Sequence, residues 1–585
     1  MAEYNESQIN SNETERISAE QQRIENEAQR QTKETEREAR EATRQSNEST
    51  RISKEAERLA EEVNRVEAEA IRVNAEQGRV EAENIRAEFY EGFNDRLNQV
   101  DSQLAHIAKT PEQFGAVGNG EADDTLSIQE AINSLSDNEI LEFRGKYKIT
   151  SQININKPNI RLTGRGTIIL GGNNFNIFYI TGDCVTIELL SFSNPYNYIP
   201  DNTVDTKCIA IYINSNNCIV SKCKIDNFPV GIRYGVSGFL RNGCLITDNN
   251  ITNVLGINTG FINDGIVAIQ GKAIITNNVI ECKKNTISRG CIVVDLEGDN
   301  SIVSNNICNC NNSGGVGIHV ESSPYTTISN NKIFLPKRQG MTTSDYCIIN
   351  SNYIETPNSV DSDYHLTHSG IFAYGSTSLT ITNNIINGNL SNAAGIYFSK
   401  GSFHNVYGNK FIGEANNLDI GIRLHIANNS LISNNTFSEN LCNSSITLSG
   451  ANNSIVNNNI KGGKVCIDVN GDNTLISNNT LINSDKAIKV YNANNVRIES
   501  NDLSDYKDVK TQEYSVSVNQ IGGHKFVYIY DNKMEGNLIK EVEYGTFSNN
   551  VYVRDNKSIM LQTESGQRYK IYIDDNGTLK TSTTV

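Results

Sequence analysis

Two carboxylates, Asp295 and Glu321, are the residues whose types and spacing best suit chemistry, because they end two copies of one short motif. The motif has the form Gly-Ile-x-apolar-x and reads Cys291-Ile-Val-Val-Asp295 and Gly317-Ile-His-Val-Glu321. In a β-strand, alternation turns the Ile and the second apolar residue to one face and both x residues to the other. Asp295 and Glu321 are therefore expected in one outward column on successive strands, about 5 Å apart.

Carboxylates at that spacing raise one another's proton affinity, which would give one acid and one base. The spacing suits glycoside hydrolysis with retention of configuration. His319, also outward in the second motif, is the nearest additional base. A lyase, which abstracts the proton beside a uronate carboxyl, would instead need a Lys, Arg or His base and often Ca²⁺. We expect no other cofactor and no protein metal site. The alternative is that these carboxylates only keep the surface soluble.

Later copies of the motif place aromatic and basic residues in the same outward columns. Flat apolar rings suit the faces of sugars, fixed polar groups orient hydroxyls, and an Arg could hold an acidic sugar. The predicted substrate-binding strip consists of Phe372, Tyr374, Tyr397, Arg423 and His425.

These motifs lie in a chain that repeats itself about every 26 residues, which is the signature of a solenoid. Each repeat carries an Asn-Asn-x-apolar tetrapeptide after a short β-branched run, as at Asn249-Asn250 and Asn305-Asn306, and the second Asn is taken as the marker. Asn tolerates the left-handed conformation of a tight corner, and stacked amides can hydrogen-bond from rung to rung. The pattern predicts a mainly β fold, a parallel β-helix, over residues 108–535.

Two stretches depart from the repeat. Residues 335–368 interrupt it, and long excursions from a regular scaffold are often functional. A cleft between protomers near Asp361, Asp363 and His365 is therefore the alternative location for the site. Residues 536–585 lose the Asn corners and alternate like a small meander, with a hairpin signal at Asn576-Gly577. We expect a C-terminal β cap there that supports trimerisation.

Residues 1–107 have a different pattern. Arg recurs every seventh residue from Arg16 to Arg86, Glu does the same from Glu20 to Glu83, and no Pro occurs before Pro111. From Arg51 to Arg79, the residue that directly follows each Arg is apolar, and together these residues form a seam: Ile52, Leu59, Val66, Val73 and Val80. Heptads of this kind predict an α-helical coiled-coil stalk that attaches the protein to its particle. A single solvated helix is the alternative, but it would leave the seam uncovered.

Composition narrows the function classes. A net charge of −16 on 585 residues disfavours non-specific nucleic-acid binding. The N-terminal sequence lacks a basic start and an apolar run, and no 18-residue apolar stretch occurs, so we expect neither a signal peptide nor membrane insertion. The 12 Cys are scattered without a CxxC pair, which predicts buried free thiols and assembly in a reducing cytosol.

Residues 112–170 resemble the opening of a known group of β-helices. The matching segments are Phe114-Gly-Ala-Val-Gly-Asn-Gly120, Asp123-Asp124-Thr125, Gly145-Lys-Tyr147-Lys-Ile149 and Leu162-Thr-Gly164-Arg-Gly166-Thr-Ile168. They resemble the pectate-lyase-superfamily β-helices of phage tail fibres, tailspikes and pre-neck appendages. The resemblance implies a right-handed β-helix that begins with a tight turn, a capping helix and the first rungs. Asp124 fits as the N-cap of an amphipathic helix over 126–135.

The resemblance and the layout together imply a homotrimeric virion protein of a phage tail, assembled in the host cytoplasm, whose stalk joins tail or baseplate proteins. We expect it to bind and depolymerise a bacterial surface or biofilm polysaccharide during host attachment, as a glycoside hydrolase or a polysaccharide lyase. Two alternatives remain: a non-catalytic glycan-binding adhesin and a structural appendage of the same architecture.

Overall fold

The computed structural model describes residues 108–583 with gaps, and in the N-terminal region residues 17–18, 20–23, 25–26 and 32. The gaps are 173–174, 197–207, 237, 256–263, 285–287, 313, 358–367, 390–392, 508–511, 520–525, 535–539, 545–550, 555–558, 563–567 and 574–578. The chain divides into two compact units, residues 1–104 and 105–585. The described residues of the first unit are helical, and an exposed ion pair joins Arg23 to Glu20 at 2.8 Å. The rest of the predicted stalk lies outside the described residues.

Three parallel sheets, here called sheets I, II and III, run along the second unit, and each rung passes through them in that order. The strands of sheet I are Asn119–Asp123, Lys146–Ile149, Thr167–Leu170, Ser191–Ser193, Lys224–Asp226, Asn250–Val254, Val279–Cys282, Ile307–Asn309, Lys332–Phe334, Tyr353–Glu355, Ile385–Gly388, Lys410–Gly413, Thr436–Phe437, Asn459–Lys461 and Thr480–Ile482. Those of sheet II are Ile153–Ile155, Phe178–Ile180, Ile209–Ile213, Val230–Tyr234, Asp264–Ile269, Ser288–Asp295, Gly314–Glu321, Gln339–Thr343, Ser369–Ala373, Ala394–Phe398, Leu418–Leu424, Cys442–Leu448, Val465–Val469, Lys486–Tyr491, Tyr514–Asn519 and Lys540–Tyr544. Those of sheet III are Ile140–Phe143, Arg161–Gly164, Thr186–Glu188, Cys218–Ser221, Arg241–Thr247, Gly271–Thr276, Ile302–Ser304, Thr327–Ser329, Ile348–Asn350, Thr380–Thr382, Asn405–Tyr407, Leu431–Ser433, Ser454–Val456, Leu475–Ser477, Val496–Glu499, Val527–Tyr530 and Val551–Arg554.

The inward side chains of the three sheets form one continuous core of mostly Ile, Val and Leu. Aromatic residues stack in it from rung to rung, and the rings of Phe411 and Phe437 lie parallel with centroids 4.3 Å apart. Because each strand pairs with the same part of the next repeat, the core grows with repeat number instead of closing on itself. The predicted mainly β, parallel β-helical fold is confirmed.

The corner between sheets III and I explains the Asn-Asn repeat, because its two positions do different work. The first position is left-handed, with φ of 58° at Asn305 and 56° at Asn330. The second is buried, and its amide joins the rungs: the Asn306 side-chain nitrogen donates to the Asn331 Oδ1 at 3.0 Å, as does the Asn306 backbone N–H. This amide ladder runs through Asn249, Asn278, Asn306, Asn331, Asn352, Asn384, Asn409, Asn435, Asn458, Asn479, Asn501 and Asn532.

One marker of the sequence analysis was wrong. In the first repeat the buried ladder residue is Asn249, not Asn250, and the left-handed position before it is Asp248, with φ of 57°. Asp, like Asn, tolerates this conformation, so a search for paired Asn alone shifts that rung by one residue.

The N-terminal end of the β-helix is covered by the helix Thr125–Asn133, which follows a short 3₁₀ helix, Pro111–Phe114. Asp124 occupies the predicted N-cap position, but its carboxylate accepts from the Val117 and Gly118 N–H groups at 2.7 and 3.2 Å. The neighbouring Asp123 instead accepts from the Thr125 N–H at 3.1 Å. Both carboxylates therefore hold the capping turn together.

The predicted interruption over 335–368 contains a complete rung. Its strands Gln339–Thr343, Ile348–Asn350 and Tyr353–Glu355 pair in register, and Asn352 takes its place in the amide ladder. This rung is irregular because its sheet II strand does not carry the Gly-Ile-x-apolar-x motif. The alternative site residues Asp361, Asp363 and His365 lie outside the described residues.

At the C-terminus, the strands Ile559–Gln562, Arg568–Ile573 and Leu579–Thr583 form an antiparallel three-stranded sheet. The meander expected from the alternation is present, with the Asn576-Gly577 signal between its last two strands. Its role as a trimerisation cap stays a prediction. Two further short strands, Gly401–Ser402 and Ala427–Asn428, pair with each other at the corner between sheets II and III.

All 12 cysteines are free thiols, and all except Cys184 are buried. Among the described residues, no helix combines the length and apolarity that crossing a membrane requires.

His404 makes the stability of the core depend on pH. Its ring stacks on Phe398 with centroids 4.3 Å apart and is buried, and burial lowers its pKa to about 4. In the unfolded chain the His404 ring becomes protonated near pH 6.5, whereas in the folded chain it stays neutral down to about pH 4. The free energy of unfolding therefore decreases as pH falls from about 6.5 to 4. We expect His404→Gln to reduce the pH-dependent part of the free energy of unfolding by up to ~3 kcal/mol over that range. Urea unfolding of both proteins at pH 7 and pH 4.5 measures it, and identical pH dependence would contradict the assignment.

Candidate active site on sheet II

The candidate residues lie on strands of sheet II. Each of these strands has a small residue at the corner where the chain enters the sheet. At Gly317 a Cβ would lie 2.4 Å from the Ile333 Cγ2 and 2.7 Å from the Gly340 carbonyl oxygen. Only a residue with little or no side chain fits there, which explains the Gly that begins the motif. Beyond this corner, Ile318 points into the core and His319 points outward.

The register brings the two carboxylates together as predicted. Asp295 is the pairing partner of Glu321, and Val293 is the partner of His319, on the adjacent strands Ser288–Asp295 and Gly314–Glu321. Adjacent strands lie about 4.8 Å apart, so both side chains leave the same outward face one rung apart.

The two carboxyl groups have opposite electrostatic environments. The Asp295 side chain is 14% exposed and the Glu321 side chain 63%. Burial and the neighbouring Glu321 charge raise the pKa of Asp295. The hydrogen bond from His319 lowers the pKa of Glu321. The raised pKa favours the protonated form of Asp295 and the lowered pKa favours the ionised form of Glu321, which are the forms required of an acid and its partner base.

His319 is held between Glu321 and Thr342. Its Nε2 lies 3.0 Å from the Glu321 Oε2, and its Nδ1 lies 2.6 Å from the Thr342 Oγ1. The Thr342 hydroxyl accepts from the Val320 N–H at 3.2 Å, so its own hydrogen is available for Nδ1. The neutral ring then carries its proton on Nε2 and donates it to Glu321.

Two residues that sequence reasoning missed complete the cluster. Arg289 lies between two carboxylates, with Nε 3.2 Å from the Asp264 Oδ2 and Nη1 3.8 Å from the Asp295 Oδ2. Asp264 is fully buried, and burial raises its pKa against the opposing effect of Arg289. Its Oδ1 and the Arg289 Nη2 are buried without a hydrogen-bond partner among the described residues. In the register of sheet II, Asp264 is the partner of Gly290, and Arg289 lies one residue before that position, so neither residue occupies an outward position of the motif.

The predicted aromatic strip forms, but one member differs from the prediction. Phe372 pairs with Tyr397, their ring centroids lie 5.5 Å apart, and the Tyr374 ring lies 6.3 Å from Phe372. Tyr374 is 67% exposed, whereas Tyr397 is only 5% exposed. The prediction of an exposed Tyr397 ring was wrong because Phe372 and the Arg423 guanidinium, 5.4 Å from its ring centre, pack beside it.

The remaining strip residues lie too far along the axis to touch the same sugar as the carboxylates. Arg423 is four strands beyond Glu321 in sheet II, about 19 Å at 4.8 Å per rung. His425 is on the same rung, with its Nδ1 3.4 Å from the Ser449 Oγ. Asp295, His319 and Glu321 therefore form one cluster, and Arg423 and His425 belong to a separate part of the same face.

No set of three or more His, Cys, Asp and Glu side chains within the described part of the chain is arranged to hold a metal ion.

Comparison with known proteins agrees with this fold. A sequence model of the right-handed β-helix region matches residues 234–411 and 358–503. A capsule K30/K69-specific depolymerase of Klebsiella phage K64-1 is 26% identical over 212 residues, which are 35% of this chain and 27% of that protein. The chain therefore spans about a quarter of the length of that relative.

Two solved phage structures are similar over most of the chain. The pre-mature gene product 12 of bacteriophage phi29 has a TM-score of 0.49 at 13% identity, covering 84% of this chain and 78% of that one. The tailspike protein of E. coli bacteriophage HK620, solved with a pentasaccharide, has a TM-score of 0.41 at 12% identity, covering 81% and 85%.

Residues 234–503 are thus part of a right-handed parallel β-helix. The matched region confirms the right-handed β-helix that the resemblance of residues 112–170 implied, and the 26%-identical relative is a phage protein.

Proposed function

We propose that this chain is a phage tailspike that binds and cleaves a bacterial capsular or other surface polysaccharide at the Asp295–Glu321 pair. The observation that carries the proposal is the opposite pKa shift of two register-paired carboxyls on one outward face. The phage relative named as a capsule depolymerase supports the choice of substrate class.

In this proposal Asp295 is the general acid, because it is the more buried of the two and because burial and the Glu321 charge raise its pKa. Glu321, ionised and oriented by His319, attacks the anomeric carbon as the glycosidic bond to the leaving sugar breaks. Asp295 gives its proton to the leaving oxygen, and water then releases the glycosyl group from Glu321 with Asp295 acting as base. Arg289 holds Asp295 in place from the side of Asp264, and the strip from Phe372 to Tyr374 supports the polysaccharide beyond the cleavage point.

The substrate class and the bond-breaking mode are tested together. The full chain is incubated with purified capsular polysaccharides, beginning with Klebsiella K30 and K69, and the molar mass of the polymer is followed by size-exclusion chromatography. The proposal expects a fall in molar mass with new reducing ends and no ultraviolet-absorbing unsaturated uronates. Unsaturated ends would instead indicate a lyase. Binding without a fall in molar mass on any polysaccharide would indicate the adhesin alternative.

The rate should have an acidic optimum. Activity requires ionised Glu321 and protonated Asp295, so kcat/KM rises as pH passes the lowered pKa of Glu321 and falls as pH passes the raised pKa of Asp295. Removing the His319 hydrogen bond raises the pKa of Glu321, so His319→Leu should shift the acidic limb to higher pH. A pH–rate profile of both proteins measures this shift, and an unmoved acidic limb would contradict the pairing of His319 with Glu321.

We also propose that the chain assembles as a parallel homotrimer, with residues 1–107 as a coiled-coil stalk joined to the tail or baseplate and residues 536–585 as the cap. The small and β-branched seam residues of the stalk allow three strands. Light scattering of the full chain should give three times the 64.7 kDa protomer mass, ~194 kDa. A mass near 64.7 kDa would contradict this assembly.

A further inference from the structure

A second group of aromatic residues lies at the corner between sheets II and III. At this corner one residue per rung has a left-handed backbone conformation. Its N–H donates a hydrogen bond to a carbonyl oxygen of the next rung, on the residue just before the equivalent position. The Tyr325 N–H thus donates to the Asp345 carbonyl at 3.1 Å, and the Tyr346 N–H donates to the Thr377 carbonyl at 2.8 Å. The residues of this column are Asn300, Tyr325, Tyr346, Ser378, Phe403, Asn429, Asn452, Asn473 and Asn495.

The aromatic members are costly at these positions. Left-handed backbone suits Asn, which fills most of the column, whereas a bulky side chain there is strained by about 1–3 kcal/mol. Tyr325, Tyr346 and Phe403 have φ of 59°, 55° and 60°. Burial does not compensate the strain, because the three side chains are 54%, 44% and 61% exposed. Strained residues that the fold itself does not need are typical of functional sites.

The rings are arranged along the axis of the β-helix. The Tyr325 and Tyr346 rings are parallel within 10°, with centroids 4.9 Å apart. Rings that lay side by side in one plane could not come so close, so these two overlap face to face along the axis. Ser378 occupies the next rung, and Phe403 follows it. The small Ser378 side chain leaves a notch between Tyr346 and Phe403 that spans two rung spacings, about 9.6 Å, which is room for one flat ring between the two aromatic side chains.

The corner adjoins the candidate active site. Tyr325 follows Glu321 by four residues, and Ser378 follows the exposed Tyr374 by four, so the column lies just beyond the outward edge of sheet II. A polymer that follows sheet II past Glu321 and Tyr374 can therefore extend over the corner without leaving the protein surface.

We propose that this aromatic corner, formed by Tyr325, Tyr346 and Phe403 around the notch at Ser378, binds a pyranose ring of the same polysaccharide, outside the cleavage site. The proposal rests on the proposed function for the identity of the ligand. The ring faces stack on the C–H faces of the sugar, so the corner adds affinity for long or branched chains and leaves the bond-breaking step unchanged.

The column itself supplies the variants that test the site. Tyr325→Asn, Tyr346→Asn and Phe403→Asn install the residue that the other rungs carry, so the folded state should be at least as stable as before, by urea unfolding. Dissociation constants are measured with the panel polysaccharides, K30 and K69 included. We expect about a tenfold loss of affinity for each stacking ring removed, by analogy with aromatic stacking of nucleic-acid bases. The kcat on short oligosaccharides should not change.

Ser378→Tyr serves as the matched variant because it adds a ring without removing one. If the notch holds a sugar, filling it weakens polysaccharide binding, whereas a generally adhesive aromatic surface would bind as well or better. Unchanged dissociation constants in the triple Asn variant, or tighter binding by Ser378→Tyr, would overturn the aromatic corner and leave the Asp295–Glu321 site untouched. A wild-type chain that neither binds nor cleaves any panel polysaccharide would overturn both.

Discussion

Asp295→Asn and Glu321→Gln each lower the rate of polysaccharide cleavage by about a hundredfold or more, the range that a positioned acid or base contributes. Each substitution keeps the shape of the side chain and removes its ability to exchange a proton or to attack. Folding and glycan binding should persist, because both side chains lie on the outward face, apart from the core and the amide ladder. Release of reducing ends gives the rate, and polysaccharide binding is measured on the same preparations.

Asp468→Asn is the matched control. Asp468 is also outward on sheet II, but it is paired with Lys489 at 2.9 Å and lies several rungs from Glu321. The Asp468→Asn protein should cleave the polysaccharide at close to the wild-type rate. If Asp295→Asn and Glu321→Gln also cleave at that rate, the site lies elsewhere on the molecule.

Asn458→Ala should destabilise the β-helix by about 3 kcal/mol or more. The Asn458 Oδ1 accepts from both the backbone and the side-chain nitrogen of Asn435 at 3.0 Å, and its own side-chain nitrogen donates to the Ile432 carbonyl at 2.9 Å. The site is buried, so Ala leaves these partners without water or protein to replace the amide, at about 1–3 kcal/mol for each unpaired group. The free energy of unfolding in urea, at fixed protein concentration, measures the loss.

The next residue in the chain supplies the control. Asn459 is exposed at the start of the strand Asn459–Lys461, so Asn459→Ala removes an Asn side chain from the same corner without breaking the ladder. It should change the free energy of unfolding by less than about 0.5 kcal/mol. Equal losses in the two variants would mean that the ladder contributes little to stability.

The architecture could be predicted because the solenoid repeats its local rules. The Asn corner, the small entry residue and the Ile-x-apolar alternation recur on most rungs between Asn249 and Asn532, so counting from Gly317 and Cys291 was enough to place Glu321 beside Asp295. In such a fold a contact between adjacent rungs is also a contact at a fixed sequence interval, which is why the carboxylate pair was accessible to sequence reasoning.

The surroundings of the site were not accessible in the same way. Alternation says which side chains point outward but not what covers them. Val267, Val293 and Ile269 point outward from sheet II and are nevertheless buried in a second apolar cluster. The strand Asp264–Ile269 is apolar on both faces, which is typical of a strand covered on both sides. The burial of Tyr397, of Asp264 and of Asp295, where it raises the pKa of the carboxyl, follows from such outer packing, which a period-two pattern does not encode.

The most direct test of the central claim is a crystal structure of the Glu321→Gln protein with an oligosaccharide cut from the polysaccharide that the wild-type chain degrades. The account predicts sugar rings along the outward face of sheet II, with a glycosidic oxygen within hydrogen-bond distance of Asp295 and the anomeric carbon next to residue 321. An oligosaccharide bound in a productive position on another face, with the Asp295 and Glu321 side chains free of sugar, would contradict it.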